Sequence, residues 1–171
     1  MILVANQVDL ELSLYVDDNR PPRDVEARIT PRTRAIAAVH MLGSPARLRE
    51  LREIADRHKV ALLEDAAQAF GATYEGRWVG SMGQVGVYSF NEYKTITCGD
   101  GGMLVTNDEA IYRHAFANHD QGHSPNRKGV EVGSRPFLGL NFRMNELSGA
   151  VLLAQVRRMD DIRAHLRENR D

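Results

Sequence analysis

Cysteine is almost absent. Cys98 is the single one in 171 residues, which excludes an internal disulfide and a cysteine-paired zinc site and fits a reducing cytoplasm better than a stapled secreted scaffold. Long apolar runs are also missing. None approaches the roughly 18 residues of a membrane helix, and the first residues lack a basic stretch followed by an apolar one. No membrane partner is expected, and the reading is cytoplasmic. Charge of one sign is lacking too: 22 basic and 23 acidic side chains leave a formal net charge of −1, so no whole-molecule field draws a nucleic acid. What is present is a chain long enough for about one domain, 43% apolar, which is enough to build a core.

The apolar patterning reads as α/β. Ala35–Val39 is a short apolar run of strand type. Gly43-Ser44-Pro45 follows as a helix start, with Ser44 as cap and Pro45 at the first helical position. Leu48, Leu51, Ile54 and Ala55 then recur at helical spacing, and Val60–Leu63 is a second apolar run that turns polar at Glu64-Asp65. Strand, helix, strand in this order predicts a parallel crossover unit. Val85–Phe90 and Met103–Thr106 are further strands. Asn107-Asp108 caps a helix through about Asn118, and His119–Arg135 reads as a long loop. One long helix is predicted from Met144 to about Leu166. Leu10–Val16 reads as a strand, and Pro21-Pro22 as a turn or linker.

Ligands of parallel sheets gather outside the carboxyl ends of the strands. Three polar clusters fall at such ends: Glu64–Gln68, Ser89–Lys94 running into the glycines around Gly101, and Gly139–Glu146. A lysine, a carboxylate and small hydroxyl or amide groups in one cleft suit pyridoxal phosphate, which needs an amine, an anion beside its pyridine nitrogen and donors around its phosphate. Taken singly, a strand-end aspartate is a helix cap and a lone lysine is a solvated charge. The combination is what carries information.

The segment from about Ile29 to Asp171 resembles the DegT/DnrJ/StrS family of sugar aminotransferases, pyridoxal phosphate enzymes of the fold-type I architecture. The carriers are Ile29-Thr30-Pro31-Arg32-Thr33-Arg34-Ala35-Ile36, Glu64-Asp65-Ala66-Ala67-Gln68-Ala69-Phe70-Gly71-Ala72, Ser89-Phe90 with Lys94 and the glycine cluster, and Gly139-Leu140-Asn141-Phe142-Arg143-Met144-Asn145-Glu146. The resemblance implies an α/β chain, with residues 1–171 forming part of the three-layer α/β/α cofactor-binding large domain around a mostly parallel sheet. It implies that Lys94 bonds covalently to pyridoxal 5'-phosphate and moves the proton, and that Asp65 holds the pyridine nitrogen protonated. By the same resemblance Gln68 lies beside the ring, Ser89 binds the phosphate, and Asn141 reaches a phosphate site across a homodimer interface. The implied reaction moves an amino group from an amino-acid donor to a keto sugar, usually nucleotide-linked, in amino-sugar or polysaccharide biosynthesis.

Other patterns carry less. Gly80, Gly83 and Gly86 are not a dinucleotide fingerprint, because a strand follows them and none precedes them; a turn before a strand is the reading, and a dehydrogenase falls behind. His114, His119 and His123 lack a carboxylate or cysteine that would complete a metal site. Cys98 has no partnered histidine and reads as a small packed residue. The arginines from Arg157 to Arg170 alternate with Asp160, Asp161 and Glu168, as on a solvated helix face. Against the family pattern, Asn91-Glu92-Tyr93 replaces a common aromatic or histidine followed by Pro-Thr. The family's N-terminal phosphate-binding segment and C-terminal small domain have no counterpart, so the large domain is expected to be truncated at both ends, with apolar surface left open on the sheet and on Leu152, Val156 and Met159. The alternative reading is a non-catalytic remnant that serves as a binding or interaction module.

Overall fold

The structure, a computed structural model, describes residues 15–16 (backbone), 21–125, 135 and 138–169. Five strands form one sheet: β1 (Tyr15–Val16), β2 (Ala35–Val39), β3 (Ala61–Asp65), β6 (Val85–Ser89) and β7 (Gly102–Val105), in the spatial order β1-β2-β3-β6-β7. The first four are mutually parallel, and β7 returns antiparallel beside β6 with Gly102 opposite Ser89. A separate hairpin pairs β4 (Thr73–Tyr74) with β5 (Arg77–Trp78). The predicted α/β class and mostly parallel sheet are both present.

The link between β2 and β3 is α2 (Leu48–His58), whose Leu48, Leu51, Ile54 and Ala55 are buried at three- and four-residue spacing. That stripe packs over Ile36, Ala38 and Leu62, the buried face of the sheet. On the opposite face Ala35, Ala37, Leu63, Asp65, Val87 and Ser89 are only half-buried, as the period of two along each strand requires. Lys59, in left-handed conformation at φ 55°, ends α2. Its last turn meets α1 (Pro22–Glu26), where Glu26 accepts from Arg57 and His58, which hold its carboxyl below the usual range.

Four expectations are corrected. Ser44 and Pro45 do not open α2, which starts at Leu48; they belong to a turn after a short 3-10 segment, Met41–Gly43, because the Ala46 amide is taken by the His40 ring. Pro22 is no linker but the first residue of α1. The single long helix is two, α4 (Glu146–Arg157) and α5 (Met159–Glu168), broken at Arg158 with φ −101° and ψ 8°. Met159 is not part of the open apolar surface. The break lets it turn in beside Gly71, to 7% exposure, where a β-carbon on that glycine would collide with its methyl group. Val156 is exposed as expected, and Leu152 is half-buried against the core.

α3 (Glu109–His119) is capped by Asp108, whose side chain accepts from the Ala110 and Ile111 amides. Of the predicted strand Leu10–Val16, residues 10–14 lie outside the described residues, as do 126–134 of the predicted loop. No helix among the described residues is long and apolar enough to cross a membrane.

Candidate active site

Asp65 ends β3 and Ser89 ends the neighbouring β6. In the ladder Asp65 lies opposite Val87, so Ser89 stands two residues farther along the same face, and both side chains look to the half-buried side of the sheet at its carboxyl edge. One Asp65 oxygen, Oδ1, accepts the Ala67 amide at 3.0 Å. That bond turns the chain out of the strand. Oδ2 takes no hydrogen bond among the described residues, so it presents an unused acceptor.

Lys94 sits in the loop between β6 and β7. Phe90 closes the base of this loop three times: its amide donates to the Gly101 carbonyl at 2.8 Å, and its own carbonyl accepts the Cys98 amide at 3.1 Å and the Thr97 hydroxyl at 3.1 Å. Buried Ile96 and Cys98 fill the inside. The other end is tied by Asn91, which accepts the Lys94 amide on its carbonyl and the Tyr93 amide on its side chain. Lys94 is half-buried, and its ammonium makes no hydrogen bond or ion pair among the described residues. Cys98 is the packed small residue expected: burial, then the Asp100 charge, push its thiol pKa up.

Gln68, three residues beyond Asp65, is exposed and accepts the Leu42 amide on Oε1 at 3.2 Å, which places it between the ends of β2 and β3. Asn141 stands apart from these four. It forms an isolated bridge with Asp120 beyond α3, is exposed, and its Oδ1 accepts from the backbone amide and Nε of Arg143. Sequence reasoning thus gathers Asp65, Gln68, Ser89 and Lys94 at one edge of the sheet, while Asn141 lies in another segment.

An unused carboxylate oxygen, an unpartnered half-buried amine and a strand-end hydroxyl are the donor set that pyridoxal phosphate needs. The residues fit the group. A cavity of about 760 Å³ lies elsewhere, at the amino ends of β3 and β6. Two of its arginines are committed, Arg49 to Glu75 and Arg52 to Asp56 and the Met82 carbonyl. It contains none of the predicted site residues.

The pair that sequence reasoning missed is His40 and Glu64. Both side chains are fully buried and 3.1 Å apart. Glu64 also accepts the backbone amides of Gly80, Met82 and Gly83. Burial pushes the Glu64 pKa up, but the bonds from His40 and the three amides outweigh it and hold the carboxyl below its usual range. The signal available was a carboxylate on the inward phase of a buried strand, one residue before Asp65.

The sequence profile of the DegT/DnrJ/EryC1/StrS aminotransferase family matches residues 14–171. GDP-perosamine synthase of Escherichia coli O157:H7 is 37% identical over 148 residues, covering 86% of this chain and 40% of that protein. The GDP-perosamine synthase of Caulobacter vibrioides is 42% identical over 137 residues, covering 80% and 36%. The solved aminotransferase from Psychrobacter cryohalolentis superposes with a TM-score of 0.78 at 38% identity, covering 86% of this chain and 40% of that one. The chain therefore spans about 40% of the length of these relatives. A further solved neighbour, a GDP-4-keto-6-deoxy-D-mannose-3-dehydratase of E. coli, is 28% identical and is described with bound hydrated PLP. By the family's profile and the fold its solved neighbours share, this chain belongs to the DegT/DnrJ/EryC1/StrS aminotransferase family.

Proposed function

We propose that the chain supplies the central cofactor-contacting groups of a pyridoxal phosphate-dependent aminotransferase that moves an amino group from an amino-acid donor to a nucleotide-linked keto sugar. The setting is cytoplasmic amino-sugar or polysaccharide biosynthesis, and the working form is a homodimer. The observation that carries this reading is Asp65, with one carboxylate oxygen unused among the described residues, at the edge where Ser89 ends the next strand and where the following loop carries Lys94, whose ammonium has no partner among the described residues.

Bound there, pyridoxal phosphate supplies an electron sink for the charge that develops at the amino-bearing carbon. Asp65 keeps a proton on the ring nitrogen through Oδ2 while Oδ1 stays anchored on the Ala67 amide. The Lys94 amine would hold the cofactor covalently, and as a base it would carry a proton to and from the reacting carbon. The Ser89 hydroxyl donates to the phosphate; its oxygen already accepts the Asn91 amide at 3.3 Å, which fixes its direction. Gln68 would lie against the ring. Asn141 contributes to the phosphate site across the dimer.

The test is a visible absorption titration of the purified chain with pyridoxal phosphate, beside Lys94→Ala, with circular dichroism of both. A band that depends on Lys94, and that changes when glutamate or glutamine is added, is expected. A folded chain with no such band overturns the catalytic reading and leaves an interaction module.

A further inference from the structure

The turn after β2 is held in a costly conformation. Leu42 is left-handed, at φ 49° and ψ 31°, and its side chain is 89% exposed. A branched residue in that region is strained, and an open leucine gains nothing from burial, so the surroundings must fix it. The fixing group is His40. Its ring Nδ1 accepts the Ala46 amide at 3.1 Å, which assigns the ring hydrogen to Nε2, and Nε2 donates to Glu64 Oε2 at 3.1 Å. Glu64 is immobile in turn, clamped by three amides of the 80–83 loop. The His40 amide also donates to the Asp65 carbonyl at 3.0 Å. Between the two ring-held ends, at His40 and Ala46, the chain makes one bond outward among the described residues: the Leu42 amide to Gln68 Oε1.

We propose that His40 is a positioning residue: the buried His40–Glu64 pair holds the Met41–Ala46 turn in its left-handed form and, through the Leu42 amide, sets the Gln68 side chain beside Asp65. The strained turn is then the device that aims Gln68, an otherwise exposed and mobile side chain, at the cofactor. The consequence for cofactor affinity rests on the function proposed above; the mechanical link does not.

Amide hydrogen exchange by NMR on the full chain reads the link without cofactor, and a pyridoxal phosphate titration reads its consequence. His40→Gln should cut protection at the Leu42 and Ala46 amides by about tenfold, the worth of one lost hydrogen bond, and weaken cofactor binding by a similar factor. Adding Leu42→Gly should restore binding, because glycine adopts positive φ without strain; a role confined to supporting the 80–83 loop predicts no rescue. Gln68→Ala, which leaves the buried pair untouched, should release the Leu42 amide and leave Ala46 protected, and it decides the link if His40→Gln does not fold. Unchanged Leu42 protection in Gln68→Ala, or in folded His40→Gln, overturns the proposal, as does failure of Leu42→Gly to rescue. If the unmodified chain binds no pyridoxal phosphate, the function proposed above fails and the exchange data alone decide the role of His40.

Discussion

Tyr88 donates its buried hydroxyl to the Val79 carbonyl at 2.7 Å, directly over Gly80. A β-carbon at Gly80 would meet that hydroxyl at 2.5 Å, and Gly80 has φ +87°. Gly80→Ala therefore combines a left-handed penalty with a steric one in the loop that clamps Glu64, and should destabilise by about 2–4 kcal/mol. Gly76 is the control: φ is +78°, but nothing lies within 4 Å, so Gly76→Ala should cost about 1–2 kcal/mol. Urea unfolding of the two variants beside the unaltered chain measures both.

Acid should unfold this protein through Glu64. Its carboxyl lies below the usual range because His40 and three amides donate to it against the cost of burial. A group whose folded pKa is depressed stabilises fully above its unfolded value, about 4.3 for glutamate, and that stability is lost as pH falls through the lower folded value. Tyr88, raised by burial and by the Glu64 charge, does not titrate in that window. Stability measured from pH 6 to pH 2 should fall below about pH 4.3. In Glu64→Gln stability should be lower at pH 6 and this part of the acid slope should be missing; an unchanged slope would assign acid unfolding to other carboxylates.

Asp65 offers a sharper test than removal of its side chain. Asp65→Asn can keep an oxygen on the Ala67 amide, so the local turn survives. What changes is the second position, where an uncharged amide replaces the carboxylate oxygen proposed to face the ring nitrogen. A charge-assisted hydrogen bond is worth about 1.5–3 kcal/mol, so cofactor affinity should fall by roughly 10- to 150-fold while the folded content stays the same. Equilibrium titration followed by absorbance, with circular dichroism on the same samples, gives both quantities.

How much of this was legible in the sequence follows from the range of the interactions. α2 and the strands around it were readable because Leu48, Leu51, Ile54 and Leu62 carry a period that burial enforces locally. The α3 cap at Asp108 was readable for the same reason, since its partners lie two and three residues away. The start of α2 was misread because the Ala46 amide is captured by His40, a tertiary bond that no local propensity encodes. The break at Arg158 was invisible because its cause is the space above Gly71, more than 80 positions earlier. Of the candidate site, Asp65, Ser89 and Lys94 were singled out as polar residues in clusters at strand ends, and their proposed roles came from the family resemblance. His40 and Glu64 were passed over because a buried polar pair leaves no trace in hydropathy beyond a charge at an inward position.

Cys98 should be chemically quiet. Its sulfur lies 3.5 Å from the Asp100 carbonyl oxygen and 3.8 Å from that of Phe90, and burial with the Asp100 charge raises its pKa. The thiolate is the reactive form, so a raised pKa and a closed loop both slow modification. At pH 8 a disulfide reagent such as dithionitrobenzoate should react at least about tenfold more slowly with the folded chain than with the chain in urea. Comparable rates in the two states would show that the 90–101 loop opens readily, and that Lys94 is carried on a mobile segment rather than a fixed one.

α4 presents the last question, because it is apolar on almost every side. Leu152 packs against the core, whereas Leu147 is 81% exposed and Val151, Leu153 and Val156 are each more than 40% exposed. A helix that is hydrophobic all round normally lies inside a larger core, and an open patch of this kind drives association. The arginine-rich α5 that follows is amphipathic by contrast, with Met159 buried and Arg163 stacked 5.3 Å over Trp78. Self-association should therefore run through α4. Leu147→Lys with Val151→Lys removes apolar area at two positions one turn apart and adds mutual charge repulsion when two copies meet. Sedimentation velocity should find the unaltered chain as a dimer or larger species and the double variant shifted to monomer, with urea stability unchanged within about 0.5 kcal/mol, as expected for surface positions. A double variant that still associates would move the interface away from α4, and with it the support this helix lends to a homodimeric enzyme.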